Sequence, residues 1–261
     1  MADESMLRCL AAQAEALWPQ ERAIVARYGL PREARILDVG CGSGEAVLRF
    51  AREYPEASVL GVDVHGPHVE LARERCAHLG ARVELSVGDG FALDQEDDTF
   101  DLVLCRHVLQ AIPDPELVLA EMTRVARPGG RLHVVAEDYA MIHFHPTRVD
   151  VERFFREGPT EYARRTGTDL LGGRKIPRIM RELGLVEVEI DYAVLDTQRV
   201  PRATLAAIFA AWRDGYAATL AEHTALSLAE VHQAFDEMVA CIGDPLGYAV
   251  WQLPIVHGRV A

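Results

Sequence analysis

The chain has little of what marks a nucleic-acid-binding, secreted or membrane-spanning protein. Lys and Arg number 27 against 40 Asp and Glu, for a formal net charge of −13. Binding to a polyanion depends on clustered cations that displace counterions. The close basic pairs are Arg164-Arg165 and Arg174-Lys175. A solvated helix face explains both, so no nucleic-acid partner is expected. The five cysteines (Cys9, Cys41, Cys76, Cys105 and Cys241) are odd in number and form no C-x-x-C pair. That pattern reads as free thiols in a reducing compartment. No apolar run approaches the ~18 residues of a membrane span, and the first residues lack the charged and apolar regions of a secretory signal. A cytoplasmic location without a membrane partner is the expectation. Neither an internal repeat nor a low-complexity segment interrupts the chain.

What is present fits an α/β protein. At 261 residues, with 49% hydrophobic and 26% charged residues, the chain can build one large core. Its centre is the stretch 35–44, Arg-Ile-Leu-Asp-Val-Gly-Cys-Gly-Ser-Gly. Ile36, Leu37 and Val39 read as a buried strand; Gly40, Gly42 and Gly44 follow at every second position; Ala46, Val47, Phe50 and Ala51 then recur at helical spacing. Strand, glycine turn and helix are the usual beginning of a nucleotide-type site. Glycines suit a tight turn where a ligand approaches bare backbone. The spacing G-x-G-x-G differs from the G-x-G-x-x-G of dinucleotide binders, and Val47 stands where that fingerprint wants Gly or Ala. Asp38, inside the strand, would repel phosphate but suits a ligand of ammonium or sulfonium character. A hydride-transferring dinucleotide enzyme is therefore the weaker enzyme reading.

The same stretch resembles the first motif of class I S-adenosylmethionine-dependent methyltransferases, and companions follow at the right places. Asp63 closes a second strand 19 positions after Gly44, near the ~20-residue spacing at which a carboxylate reaches ribose hydroxyls. A third strand, Val83–Val87, runs into Gly88-Asp89-Gly90-Phe91. By the resemblance, Asp89 accepts from the adenine amino group and Phe91 offers a flat wall. The segment Phe100–Cys105 followed by Arg106-His107 resembles the family's fourth strand, beyond which the chain lies under the methyl group. Pro128-Gly129-Gly130 before the fifth strand is a further, purely structural hallmark. The resemblance is close from about Arg35 to Glu137. It implies a Rossmann-like, doubly wound seven-stranded sheet, mostly parallel with the last strand antiparallel. Helices would cover both faces, with an N-terminal helical lid and a helical insertion before the last strand.

On this reading residues 1–261 form one methyltransferase domain. Residues 1–30 are N-terminal helices, 31–140 the cofactor-binding core, and 141–261 the substrate-covering segments and last strands. Pro19 is expected to break the first helix before Glu21–Tyr28 resumes, and 150–166 to be an irregular helical segment. Trp18, Arg22 and Tyr28 are where a lid contact is sought. The cofactor implied is S-adenosyl-L-methionine, held by Asp38, Gly40, Cys41, Gly42, Gly44, Asp63, Val64, Gly88, Asp89, Gly90, Phe91, Arg106 and His107.

Methyl transfer from a sulfonium is an in-line displacement that needs an aligned nucleophile about 3 Å away. A hydroxyl acceptor also needs its proton removed. His107 is the first candidate base, with His143, His145 and Tyr139 next; lining the adenosine or capping a helix are the plainer roles for His107. His143-x-His145 has the spacing of two metal ligands on one strand face, but no nearby Cys or third His completes a set, and no metal is expected. The leading function is methyl transfer to a small-molecule acceptor through N, O, S or C. A protein or peptide substrate, or a binding or regulatory protein without methyl transfer, are the alternatives. A homodimer is allowed.

Overall fold

The structure, a computed structural model, describes residues 4–261. Five strands run parallel: β1 (Arg35–Val39), β2 (Ser58–Asp63), β3 (Val83–Val87), β4 (Phe100–Arg106) and β5 (Ala126–Val135). β6 (Ile142–His145), β7 (Val186–Asp196) and β8 (Tyr248–Arg259) complete an eight-stranded sheet of order β3-β2-β1-β4-β5-β8-β6, with β7 also paired to β8. β8 is antiparallel to its neighbours. β7 occupies nearly the whole of one edge of β8, while β5 and the short β6 share the other. The expected seven strands become eight because residues 142–145 pair with 248–251.

The central strands β1 and β4 are buried on both faces. Alternate residues of a strand point to opposite sides, so Leu37, Val39, Val103 and Cys105 enter one apolar cluster. Ile36, Leu102 and Leu104 enter another. α2 (Glu45–Glu53) and α3 (Gly66–Cys76) cover the second face; α4 (Pro115–Val125) and α6 (Ile176–Glu182) cover the first. This two-sided burial accounts for the near-continuous apolar runs of β1 and β4.

A third apolar cluster makes the cap. It joins α1 (Glu4–Val25), α5 (Val151–Thr166), α7 (Arg202–His223) and α8 (Leu228–Gly243) to β6, β7 and β8. Proline removes one helical hydrogen bond, yet α1 runs through Pro19 unbroken. Buried Leu17, Ile24 and Val25 anchor it on both sides, and the Gln20 amide exchanges two hydrogen bonds with the Val194 backbone, 2.9 and 3.0 Å. α5 is also regular. Asp150 caps it, its carboxylate accepting from the Arg153 amide at 2.8 Å. Trp18 meets Phe50 of α2 edge-on, centroids 5.3 Å apart, and Arg22 is exposed. Lid contacts come instead from Leu10 and Ala14, one to three turns earlier.

Candidate active site

The chain leaves β1 through three glycines at positive φ: Gly40 at 77°, Gly42 at 50° and Gly44 at 78°. A Cβ on Gly40 would lie 2.5 Å from Val108 Cγ2, so only glycine lets the segment after β4 press against this turn. Gly40 and Cys41 N–H groups donate to the Val62 carbonyl at 2.7 and 3.0 Å. Asp63 ties the two strand ends together, one carboxylate oxygen accepting from Gly42 N and the other from His65 N, both at 2.8 Å. Each oxygen keeps a second lone pair for a ligand hydroxyl.

Under this loop, Asp38 is 2% exposed and its Oδ2 has no hydrogen-bond partner. Burial pushes its carboxyl up to about 7, against the pull of Arg106 and with the push of Glu21 and Asp63. Arg106 is buried at the end of β4, its Nε 3.0 Å from Glu21 Oε1 of α1, and its Nη2 has no partner. Burial opposes ionisation of Glu21, but the Arg106 charge and a hydrogen bond with His133 hold its carboxyl below the usual range. Asp38, Gly40, Cys41, Gly42, Ser43, Arg106 and His107 enclose a cavity of about 40 Å³, closed above by Leu10 and Ala14. Burial raises the Cys41 thiol, which stays neutral there.

This donor set fits an amino-acid nucleoside. The orphaned Asp38 oxygen suits an ammonium, the Arg106 guanidinium a carboxylate, and Asp63 a ribose diol. Beyond β2 and β3, Val64 and Phe91 are exposed, at 74% and 38%. They flank Asp89, whose Oδ1 accepts from Phe91 N at 2.9 Å. An apolar surface beside a carboxylate is what a flat base with an exocyclic amine requires. Gly88 and Gly90 lie so close to β1 and β2 that added Cβ atoms would sit 2.8 Å from Val62 and 3.1 Å from Val39.

His107 follows directly, at φ 60°. A non-glycine residue in this region costs on the order of 1–3 kcal/mol and persists where its surroundings demand it. Its N–H donates to the Val135 carbonyl at 2.8 Å, and its Nδ1 lies 2.6 Å from Glu137 Oε1. Nε2 is buried and without a partner. The register pairs Arg106 with Val135, so His107 and Glu137 leave adjacent strand ends side by side.

His107 and Leu10 also line a second cavity of about 240 Å³, roofed by the cap. α1 gives it Met6, Cys9 and Gln13; α5, α7 and α8 give mainly aromatic side chains. Tyr139 is part of its wall, stacked on Phe155 at 6.1 Å and edge-on to Trp212 at 5.5 Å. Burial pushes the Tyr139 phenol well above its ordinary range, which favours its neutral form. His143 and His145 do not join it. Strand alternation turns Ile142 and Phe144 inward and both histidines out to solvent. His143 instead faces Glu152 at 3.2 Å. Among the described residues no group of three His, Cys, Asp or Glu is arranged to hold a metal ion.

Glu137, Gln110 and Glu21 are site residues that sequence reasoning missed. The one signal available was an acidic residue just beyond the fifth strand, two positions before the candidate Tyr139.

Residues 31–184 match a family model described as a methyltransferase domain. Among curated relatives, the ubiquinone/menaquinone biosynthesis C-methyltransferase UbiE of Desulfotalea psychrophila is 36% identical over 42% of this chain and 44% of its own length. The chain spans less than half the length of the first curated relatives it matches. Among solved structures, Haemonchus contortus phosphoethanolamine N-methyltransferase 2, with phosphomonomethylethanolamine and S-adenosylhomocysteine, superposes at a TM-score of 0.60. Identity there is 22%, over 93% of this chain and 52% of that one. The [4+2]-cyclase SpnF superposes at 0.56, with 24% identity over 91% of this chain and 79% of that one. At such identities the likeness is one of fold, which hosts more than one chemistry. With the family model spanning more than half its length, the chain belongs to the methyltransferase-domain family, on the class I S-adenosylmethionine-dependent pattern.

Proposed function

We propose that the protein transfers the methyl group of S-adenosyl-L-methionine to a small-molecule acceptor, with His107 as the general base. The observation that carries this reading is the His107 ring. Its Nδ1 is taken by Glu137, its buried Nε2 has no partner, and the residue lines both the glycine-loop cavity and the capped cavity. When bound, the cofactor supplies an electrophilic methyl on a sulfonium sulfur. Asp38 and Arg106 hold its amino-acid end by opposite charges, and Asp63 accepts from its ribose. Asp89 and the Val64–Phe91 surface, with Gly88 and Gly90, receive its base. Donation of Nδ1–H to Glu137 leaves Nε2 as the lone pair that takes the acceptor's proton. The cap excludes water from the transfer. A cavity of about 240 Å³ under the cap, lined mainly by apolar side chains, supports a metabolite as acceptor.

The test separates cofactor grip from chemistry. Asp63→Ala removes a charged acceptor, a loss on the order of 1.5–3 kcal/mol. It should weaken cofactor binding roughly tenfold to a hundredfold, and more if the unlatched Gly42 amide lets the loop shift. His107→Ala should leave cofactor affinity nearly unchanged while turnover falls roughly 10²–10⁴-fold. Equal damage to cofactor binding from both would move His107 into the adenosyl pocket. Cofactor binding with no transfer to any metabolite would favour the reading of a binding protein.

A further inference from the structure

The walls of the capped cavity specify more than its size. Among the described residues that line it none is Arg or Lys, and the one carboxylate is Glu137, already paired with His107. A phosphate, sulfate or carboxylate on the acceptor would therefore be buried without a counter-charge, which is strongly unfavourable. The apolar walls are aromatic and held at fixed angles. Tyr139 is parallel to Phe155 within 9°, and Trp212 meets Tyr139 at 62°. Parallel and edge-on faces of this kind accept a flat ring in stacked or T-shaped contact.

Three buried polar atoms of its lining residues stand without partners. His107 Nε2, Glu137 Oε2 and Gln110 Oε1 are all buried, and none has a hydrogen-bond partner. With Nδ1–H donated to Glu137, all three are acceptors. A buried acceptor left unmade is unfavourable, so a molecule that supplies donors gains what the protein withholds. The Gln110 main chain is held in place, its carbonyl accepting from Asp169 N at 3.2 Å.

Resting on the methyltransferase reading above, we infer that the acceptor is an uncharged aromatic alcohol with at least two hydrogen-bond donors. One hydroxyl faces His107 and reacts; a second donor satisfies Gln110. In the step, the O–H proton passes to His107 Nε2 and an oxygen lone pair forms the new bond to the methyl carbon. The methyl–sulfur bond breaks with its pair going to sulfur, which becomes a neutral thioether. A quinone, ketone or aryl ether offers only acceptors and leaves all three wall atoms unpaired.

The experiment uses the purified full chain in two stages. Calorimetry with S-adenosylmethionine and S-adenosylhomocysteine comes first; if neither binds, the methyltransferase reading itself has failed. Transfer of labelled methyl is then measured to a dihydroxynaphthalene, a naphthol, a methoxynaphthalene, a naphthyl phosphate, a hydroxynaphthoate and a naphthylmethylamine. The expected result is transfer to the two hydroxylated, uncharged arenes, with kcat/KM for the diol higher by roughly tenfold, the worth of one such hydrogen bond. Gln110→Leu, close in volume, should reduce that ratio to about threefold or less. With cofactor binding intact, three outcomes would overturn the inference. These are preferred methylation of the phosphate, the carboxylate or the amine; no transfer to any hydroxylated arene; or a diol-to-naphthol ratio unmoved by Gln110→Leu.

Discussion

Asp38 is the residue on which the electrostatics of the site turn. Its ordinary value is 3.8, and burial raises it to about 7 in the folded chain. Between these limits the unfolded chain releases the proton while the folded one keeps it. The stability Asp38 lends is therefore full below 3.8, declines across that window, and is lost above about 7. Arg106, Glu21 and Asp63 are the charges that act on it. Cofactor affinity should show the opposite trend, because an ammonium ion favours the ionised carboxylate. Titrated by calorimetry, affinity should climb as pH approaches and passes about 7, then level off. Asp38→Asn should weaken binding and flatten the profile. A flat profile in the unaltered protein would put Asp38 outside the ammonium site.

At this scale the legible residues were those contiguous in the chain. Asp38 and its glycines form one motif, and Asp63 and Asp89 sit at the ends of recognisable strands. Glu137, Gln110 and Glu21 act through contacts between segments 30, 59 and 85 residues or more from their partners' motifs only in folded space. Nothing in local spacing announces that Glu137 orients His107, 30 positions away. Conversely, His143 and His145 looked promising because a list of residue types does not say which face of a short strand each takes.

At the scale of elements, the glycine turn and the cap make distinct demands. Gly40→Ala should fold less stably, by roughly 1–2 kcal/mol for the left-handed backbone. It should also lose cofactor affinity, because its Cβ meets Val108 at 2.5 Å. Gly29 is the control. Its φ is 64° but a Cβ there touches nothing within 4 Å, so Gly29→Ala should cost stability alone. Parallel thermal unfolding and titration of the two variants check this. In the cap, Ser227 and Glu230 form a reciprocal box at the start of α8. Ser227→Ala should cost about 1 kcal/mol, lowering Tm by roughly 2–4 °C in a chain of this length. Catalysis should be spared, since Ser227 is exposed and away from both cavities.

The strands, and the helices around them, were visible in apolar periodicity. The continuity of α1 and the existence of β6 were not. α1 keeps its axis through Pro19 because packing and the Gln20–Val194 clamp outweigh one lost hydrogen bond. β6 is four residues long, too short for an alternation signal to stand out, and owes its existence to the edge of β8 that β5 leaves unpaired.

At the scale of the whole molecule, an acidic surface and a closed apolar cap point the same way. With a net charge of −13, binding to RNA or DNA has no counterion-release contribution to draw on. Transfer to bulk tRNA or DNA should be undetectable by filter assay at any salt concentration; robust, salt-sensitive labelling would overturn the acceptor class. The cap also explains why the second half of the chain carried so little signal in sequence. Its work is to pack aromatic side chains over the ends of β4 and β5, and many sequences can do that. The central claim is methyl transfer at the His107–Glu137 pair. It is tested most directly by incubating the protein and labelled S-adenosylmethionine with a small-molecule extract, and following label into metabolites by mass spectrometry. The unaltered protein should add the mass of one methylene to a defined compound. His107→Ala, still binding cofactor, should do so at least roughly a hundredfold more slowly. Equal rates from the two proteins would contradict the assignment.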